Sequence, residues 1–300
     1  MTGTKASSAA LADRRLQVII WPTVLLAALF SILPTFLAAA LAFTDIELSA
    51  DIVFKFIGIR NFQDALENSA FINSFFIGWV WALSVTILSM ALGLTLALVI
   101  HFSGRLGGTL RFFALFPWAL SPVIVAILWR IVFDPYSGPV NALAKIFASP
   151  LAEKNFLGDF DLAFPTVVLI GAWLSLPVIT ISYLAALKGI PREMIEAAQM
   201  DGAGLFSIIR MILIPQLVAV TTALTSLNLI WNFNSFGLVY VLTNGGPGGK
   251  TYLPSLFVYD EAFRYGNFGF ASALGILITV TLLMVLLAFT AFRSRLERQL

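Results

Sequence analysis

Long apolar runs separated by short polar stretches dominate the chain, and six of them stand out: Val18–Phe43, Phe71–Ile100, Thr109–Phe133, Phe164–Leu187, Ile212–Leu242 and Phe268–Phe292. Each exceeds the roughly 20 helical residues that a bilayer core requires. Backbone amides and carbonyls in hydrocarbon must pair within their own segment, so runs of this length are helices. The predicted fold class is an all-α membrane protein with six transmembrane helices, and an even number of crossings puts both termini on one side.

The Lys and Arg flanks decide which side. Eleven of them (Lys5, Arg14, Arg15, Arg105, Arg111, Lys188, Arg192, Arg210, Arg293, Arg295, Arg298) fall in the tails and alternate loops of one face, against six (Lys55, Arg60, Lys145, Lys154, Lys250, Arg264) on the other. Positive charge accumulates on the cytoplasmic side, so both termini are expected there. The expected division is a cytoplasmic tail over 1–17, a first transmembrane helix over 18–43, a core domain over 71–292 containing a cytoplasmic loop at 188–215, and a tail over 293–300. Ala40-Leu41-Ala42 resembles a signal cleavage site. The apolar run before it is nonetheless about twice the usual length of a signal core, so a retained helix is expected.

Composition agrees: 59% of the 300 residues are apolar, 11% are charged, and the mean hydropathy is +0.94. Cysteine is absent, and the lone His101 cannot by itself build a histidine metal site. A formal net charge of +2 gives no footprint for nucleic acid. Pro22, Pro34, Pro117, Pro122 and Pro177 lie inside spans and predict kinks. Arg130 is the one charge well inside a span, placed near its external end beside Asp134 and able to snorkel.

Between the fourth and fifth spans, Gly189 to Pro215 departs from the apolar pattern. Pro191 suits a first helical turn, Glu193 complements its dipole, and Gly202 and Gly204 end the helix, which predicts helix, turn and second helix. Arg192, Glu193, Glu196 and Asp201 alternate with Met194, Ile195 and Met200, a mixture suited to headgroups or a docked partner. Glu196-Ala197-Ala198, three residues, Gly202, nine residues, Ile212, one residue and Ile214-Pro215 resembles the signature loop of binding-protein-dependent ABC importer permeases, which usually have Leu at the place of Ile214. The resemblance implies a type I (MetI-like) permease bundle. It makes this loop the coupling element for an ATPase, with Arg192, Met194, Glu196, Ala197, Ala198, Asp201 and Gly202 at the contact.

The resemblance covers nearly the whole chain and points to the maltose-type first permease of the sugar branch. Gly58, Asn61 and Phe62 carry it, as do Pro117, Pro122, Trp129, Gly138 and Asn141, the stretch Leu242-Thr243-Asn244-Gly245-Gly246-Pro247, and Ala262-Phe263-Arg264 with Gly269-Phe270-Ala271-Ser272-Ala273. Gly248-Gly249-Lys250-Thr251 imitates the end of a phosphate-binding loop, but Asn244 stands where its first glycine belongs and no strand precedes it. ATP and Mg2+ are therefore expected on separate ATPase subunits, with no cofactor, metal or catalytic residue in this chain. The implied partners are a second permease forming a heterodimer, two ATPase copies, an extracytoplasmic sugar-binding protein and the lipid bilayer. The implied location is the bacterial inner (plasma) membrane.

At about 100° per residue, Thr221, Thr225, Asn228, Asn232 and Ser235 share an arc of about 80° on the fifth span, with Trp231 at its edge. Amides and hydroxyls suit sugar OH groups, and aromatic faces suit their C–H surfaces. Helix-to-helix hydrogen bonding would use the same residues. Family resemblance implicates Asn228, Trp231, Asn232 and Ser235 in sugar contact, with Gly171, Leu174, Ser175 and Val178 on the fourth span. Asn234 falls on another face and is expected to pack. An ion-coupled carrier would need carboxylates in mid-span, and a membrane enzyme would need converging catalytic groups; the spans supply neither.

Overall fold

A computed structural model describes residues 20–46, 55–147, 149–150, 152 and 154–297. The N-terminal tail with Lys5, Arg14 and Arg15, the first two residues of the first expected span, and Arg298 lie outside the described residues. Helices account for the architecture, and the one β-bridge among the described residues joins Thr44 and Phe56. Contacts divide the chain into two compact units, residues 1–67 with 258–277, and residues 68–257 with 278–300.

In the first unit, α1 (Ile20–Leu41) has no buried residue, and Phe30 and Phe36 are among its exposed side chains, as suits a helix surrounded by lipid. A π-helical turn over Ala28–Ile32 precedes Pro34, whose ring would otherwise clash with the helix backbone. The Thr35 hydroxyl bonds to Ser31 O at 2.7 Å. The short α2 (Arg60–Glu67) is fixed by Asn61, whose Nδ2 donates to Ala42 O at 2.9 Å and Thr44 O at 3.0 Å.

The second unit is built on α3 (Ser69–Phe102), a helix of 34 residues whose N-cap Asn68 accepts from the Phe71 amide. Small residues recur every fourth position on its buried face, at Ser74, Gly78 and Ala82 and again at Ser89, Gly93 and Ala97. That spacing lets backbones approach closely, the main attraction between helices in lipid. A Cβ on Gly93 would lie 2.5 Å from Ile179 Cγ2.

Two expected spans are broken. The third comprises α4 (Gly104–Ala119) and α5 (Pro122–Val132), bent by 104°. Pro122 disfavours the helical region for Ser121, which is extended like Leu120 before it and caps α5 by accepting from the Ile124 amide. The loop that follows carries α6 (Pro139–Ile146), and the fourth span is α7 (Ala163–Lys188), which runs unbroken through Pro177.

Next come α8 (Arg192–Met200), α9 (Leu205–Gln216) and α10 (Val218–Phe233), the last two bent by 65°. The fifth span was expected to continue to Leu242; instead α10 stops at Phe233 and a new helix, α11 (Gly237–Leu242), begins after a break. The chain then passes α12 (Pro254–Tyr259) and ends in α13 (Phe268–Glu297), which extends beyond the expected end at Phe292. Among the described residues, four helices are long and apolar enough to span a membrane, and counting each bent pair as one span gives six.

Candidate translocation site and the loop after the fourth span

The break after α10 frees the last carbonyls of that helix, which must find donors in a medium without water. The indole Nε1–H of buried Trp81 on α3 donates to Asn232 O at 2.9 Å, and Ser255 Oγ donates to Ser235 O at 2.6 Å. Arg130, expected to snorkel beside Asp134, donates through Nη1 to Val241 O at 3.2 Å and forms no ion pair within 4.0 Å among the described residues.

This break and the one at Leu120 border a single cavity of about 450 Å3. Seven of the eight expected pathway residues line it: Leu174, Ser175 and Val178 from α7, Asn228, Trp231 and Asn232 from α10, and Ser235 from the break. Gly171 does not, because a Cβ there would lie 2.7 Å from the Trp81 ring, so it serves close packing of α7 on α3. Ser235 lines the cavity from non-helical backbone and so does not belong to the helical stripe expected for it. Asn234, expected to pack elsewhere, also lines the wall, as do Pro117, Trp118 and Leu120. The proline pair Pro117 and Pro122 was the signal for those additional residues.

Helix-to-helix bonding claims part of the polar stripe. Asn228 Nδ2 donates to Ser89 Oγ at 2.8 Å, Asn232 Nδ2 donates to Asn228 O at 2.9 Å, and Tyr183 OH donates to Thr221 Oγ1 at 3.0 Å. Thr225 folds back on Thr221 O. Asn228 thus ties α10 to α3, as does Asn232 through Thr86 Oγ1 at 3.5 Å and the bond from Trp81, and both line the cavity.

On the opposite-numbered side of the spans, α8 is a helix of nine residues with Pro191 as its N-cap, one position earlier than the expected first turn. The turn after it needs φ +81° at Gly202, a conformation open to glycine and costly for other residues. Ile195 and Ala198 pack toward the apolar cluster that includes Leu187 and Ile208. Arg192, Met194, Glu196, Ala197 and Asp201 are exposed, as is Met200 at 89%. Of the alanine pair, only Ala197 is presented outward. Arg192 and Glu196 line a cavity of about 320 Å3 with His101 and Lys188, and neither joins an ion pair among the described residues.

The glycine-rich stretch after α11 folds on itself. Thr251 Oγ1 donates to Gly246 O at 2.7 Å and sits 2.7 Å from Thr243 Oγ1, so the hydroxyl that a phosphate loop would offer to a metal is engaged internally. Nearby, Asp134 Oδ1 accepts from the Ser137 amide and hydroxyl and from the Tyr136 amide. These bonds, those from Ser137 foremost, hold its carboxyl below the usual range.

Residues 89–298 match the model of the binding-protein-dependent transport system inner membrane component family. The chain belongs to that family. It is thus a multi-pass protein of the inner membrane, and among curated proteins this permease is 31% identical over 281 residues to a probable ABC transporter permease of Brucella suis, covering 89% of this chain and 95% of the relative. It is 33% identical over 242 residues to the trehalose/maltose transport system permease MalF of Thermococcus litoralis, covering 79% and 81%. Among solved structures, a chain of a bacterial ABC transporter that imports the acidic polysaccharide alginate superposes with TM-score 0.84 at 22% identity, covering 97% of this chain and 99% of that one. That likeness establishes the type I permease fold.

Proposed function

We propose that this permease forms one wall of a sugar pathway, closed on its other side by a second permease. ATP and Mg2+ are bound and hydrolysed on two ATPase subunits, and no covalent chemistry occurs in this chain. An extracytoplasmic binding protein delivers the sugar, and alternating closure of the two ends carries it inward. Both termini face the cytoplasm, residues 71–292 act as the working core, and α1 is an additional lipid-facing helix.

One observation carries this reading: a cavity with amides, hydroxyls and two tryptophans lies where the third expected span breaks at Leu120–Ser121 and the fifth between Phe233 and Gly237. The family and the carbohydrate transport named for the Thermococcus relative support it. For coupling, support comes from the exposed face of α8 with its unpaired Arg192 and Glu196, and from the tight turn at Gly202.

The test is ATP-dependent sugar uptake by the assembled transporter in proteoliposomes, with Glu196→Lys as the probe variant. Uptake is expected to fall at least tenfold, with weaker retention of the ATPase on purification. Unchanged uptake and unchanged retention would remove α8 from the coupling contact. Uptake driven by a proton or sodium gradient with no ATPase present would overturn the whole reading in favour of an ion-coupled carrier.

A further inference from the structure

We infer that the central cavity admits an uncharged, hydroxyl-rich saccharide and rejects anionic ones. This rests on the pathway reading above and adds the charge class of the cargo. The wall is made of Pro, Trp, Leu, Ser, Val, Asn, Phe and Gly; no Asp, Glu, Lys, Arg or His among the described residues lines it. A carboxylate or phosphate entering a low-dielectric cavity loses its water and needs a cation or several N–H donors in exchange.

The wall also offers the wrong end of its amides to an anion. Ser89 Oγ donates to Thr86 O at 3.1 Å, so its oxygen must accept from Asn228, which fixes Nδ2 of that amide toward Ser89. Asn232 Nδ2 is fixed by the carbonyl of Asn228 and Asn234 Nδ2 by the carbonyl of Ile230. A carbonyl only accepts, so neither amide can be reversed without losing its bond. In all three residues Oδ1 has no partner among the described residues. Among the described residues the buried side-chain atoms without a partner are Asn141 Oδ1 and Thr180 Oγ1, so the Asn228 and Asn232 oxygens are not fully enclosed.

The wall thus includes two amide oxygens, on Asn228 and Asn232, that remain free to accept. Sugar hydroxyls donate to them, whereas anionic oxygens meet like partial charge. Ser175 and Ser235 add hydroxyls that form no hydrogen bond of their own among the described residues, and Trp118 and Trp231, 67% and 55% exposed, offer ring faces to the C–H side of a sugar. Charge lies elsewhere: Arg130 and Asp134 border a separate cavity of about 370 Å3 with Asn155 and Asn244.

The experiment uses the complete transporter, with its second permease, ATPase and binding protein, in proteoliposomes. Labelled trehalose and maltotriose serve as neutral probes, and a triuronate and sn-glycerol 3-phosphate as anionic ones. Binding of each probe to the isolated binding protein is titrated in parallel. ATP-dependent uptake is expected with a neutral probe and at background with the anions, including any anion that the binding protein holds. Trp231→Ala is expected to lower neutral uptake at least tenfold and Ser175→Ala about threefold, with the assembly purifying intact in both. Import of an anionic probe at a rate comparable with a neutral one would overturn the charge assignment and leave the importer reading standing. Absence of uptake with all four probes would count against both.

Discussion

The paired helices α3 and α7 and the broken elements α4–α5 and α10–α11 meet the same solvent with opposite solutions. The first pair is continuous, 34 and 26 residues long, and joined through small residues on α3 and Gly171 on α7. The others are interrupted, at Leu120–Ser121 and between Phe233 and Gly237, and the cavity lies against both breaks. Unpaired backbone is tolerated in lipid only where protein or a polar cavity satisfies it. The continuous pair provides that satisfaction, through Trp81, and so serves as the frame on which the irregular pair can be held open.

The strongest blow to this division is expected at the frame. Gly93→Leu forces a side chain into Ile179, and overpacking of this kind costs about 1–3 kcal/mol or more. Folded yield in detergent and the melting temperature should both drop sharply. Trp81→Phe keeps most of the ring but removes the indole donor to Asn232 O, which keeps the Ser235 amide at 3.0 Å, a loss of about 1 kcal/mol. Here uptake should fall more than stability, since the break rather than the frame is released. Equal loss in Trp81→Phe and Gly93→Leu on both readouts would erase the distinction between the two regions. Ser121→Ala removes the cap of α5 and should cost about 1 kcal/mol, visible as a modest shift in melting with assembly intact.

Acid should have the smallest effect. The Asp134 carboxyl is held below its ordinary range by bonds from Ser137 and Tyr136. Its support for the turn over Asp134–Ser137 is therefore fully present above the unfolded carboxylate range and is lost as pH falls through the lower folded value. Faster exchange of the Ser137 amide at pH 3 than extrapolation from pH 6 predicts, abolished in Asp134→Asn, would reveal it.

Much of this was legible in the residues themselves. Six apolar runs declare their crossings by length, and the spacing from Glu196 to Pro215 declares helix, turn and helix. Prolines are less explicit. Pro177 sits inside an unbroken α7, whereas Pro122 starts a new helix because Ser121 stands ready as its cap. A helical wheel also assumes a helix: it reached Ser235 across a break that it could not register, and it placed Asn234 on the wrong face for the same reason. Gly171 shares a face with Leu174, Ser175 and Val178, but whether a residue meets a cavity or a neighbour depends on Trp81, 90 positions earlier in the chain. Ala197 and Ala198 differ for a comparable reason, since only the apolar cluster beneath α8 decides which of them turns inward.

The hydrogen bond from Asn228 to Ser89 has a consequence for how cargo preference is inherited. Ser89 lies on a different helix, outside the cavity wall, yet it sets which end of the Asn228 amide the cargo meets. With Ser89→Ala that amide would be free to turn and offer a donor in place of an acceptor. Selectivity in this permease can thus drift through a residue that never touches what is carried, so permeases with identical wall residues need not share a diet.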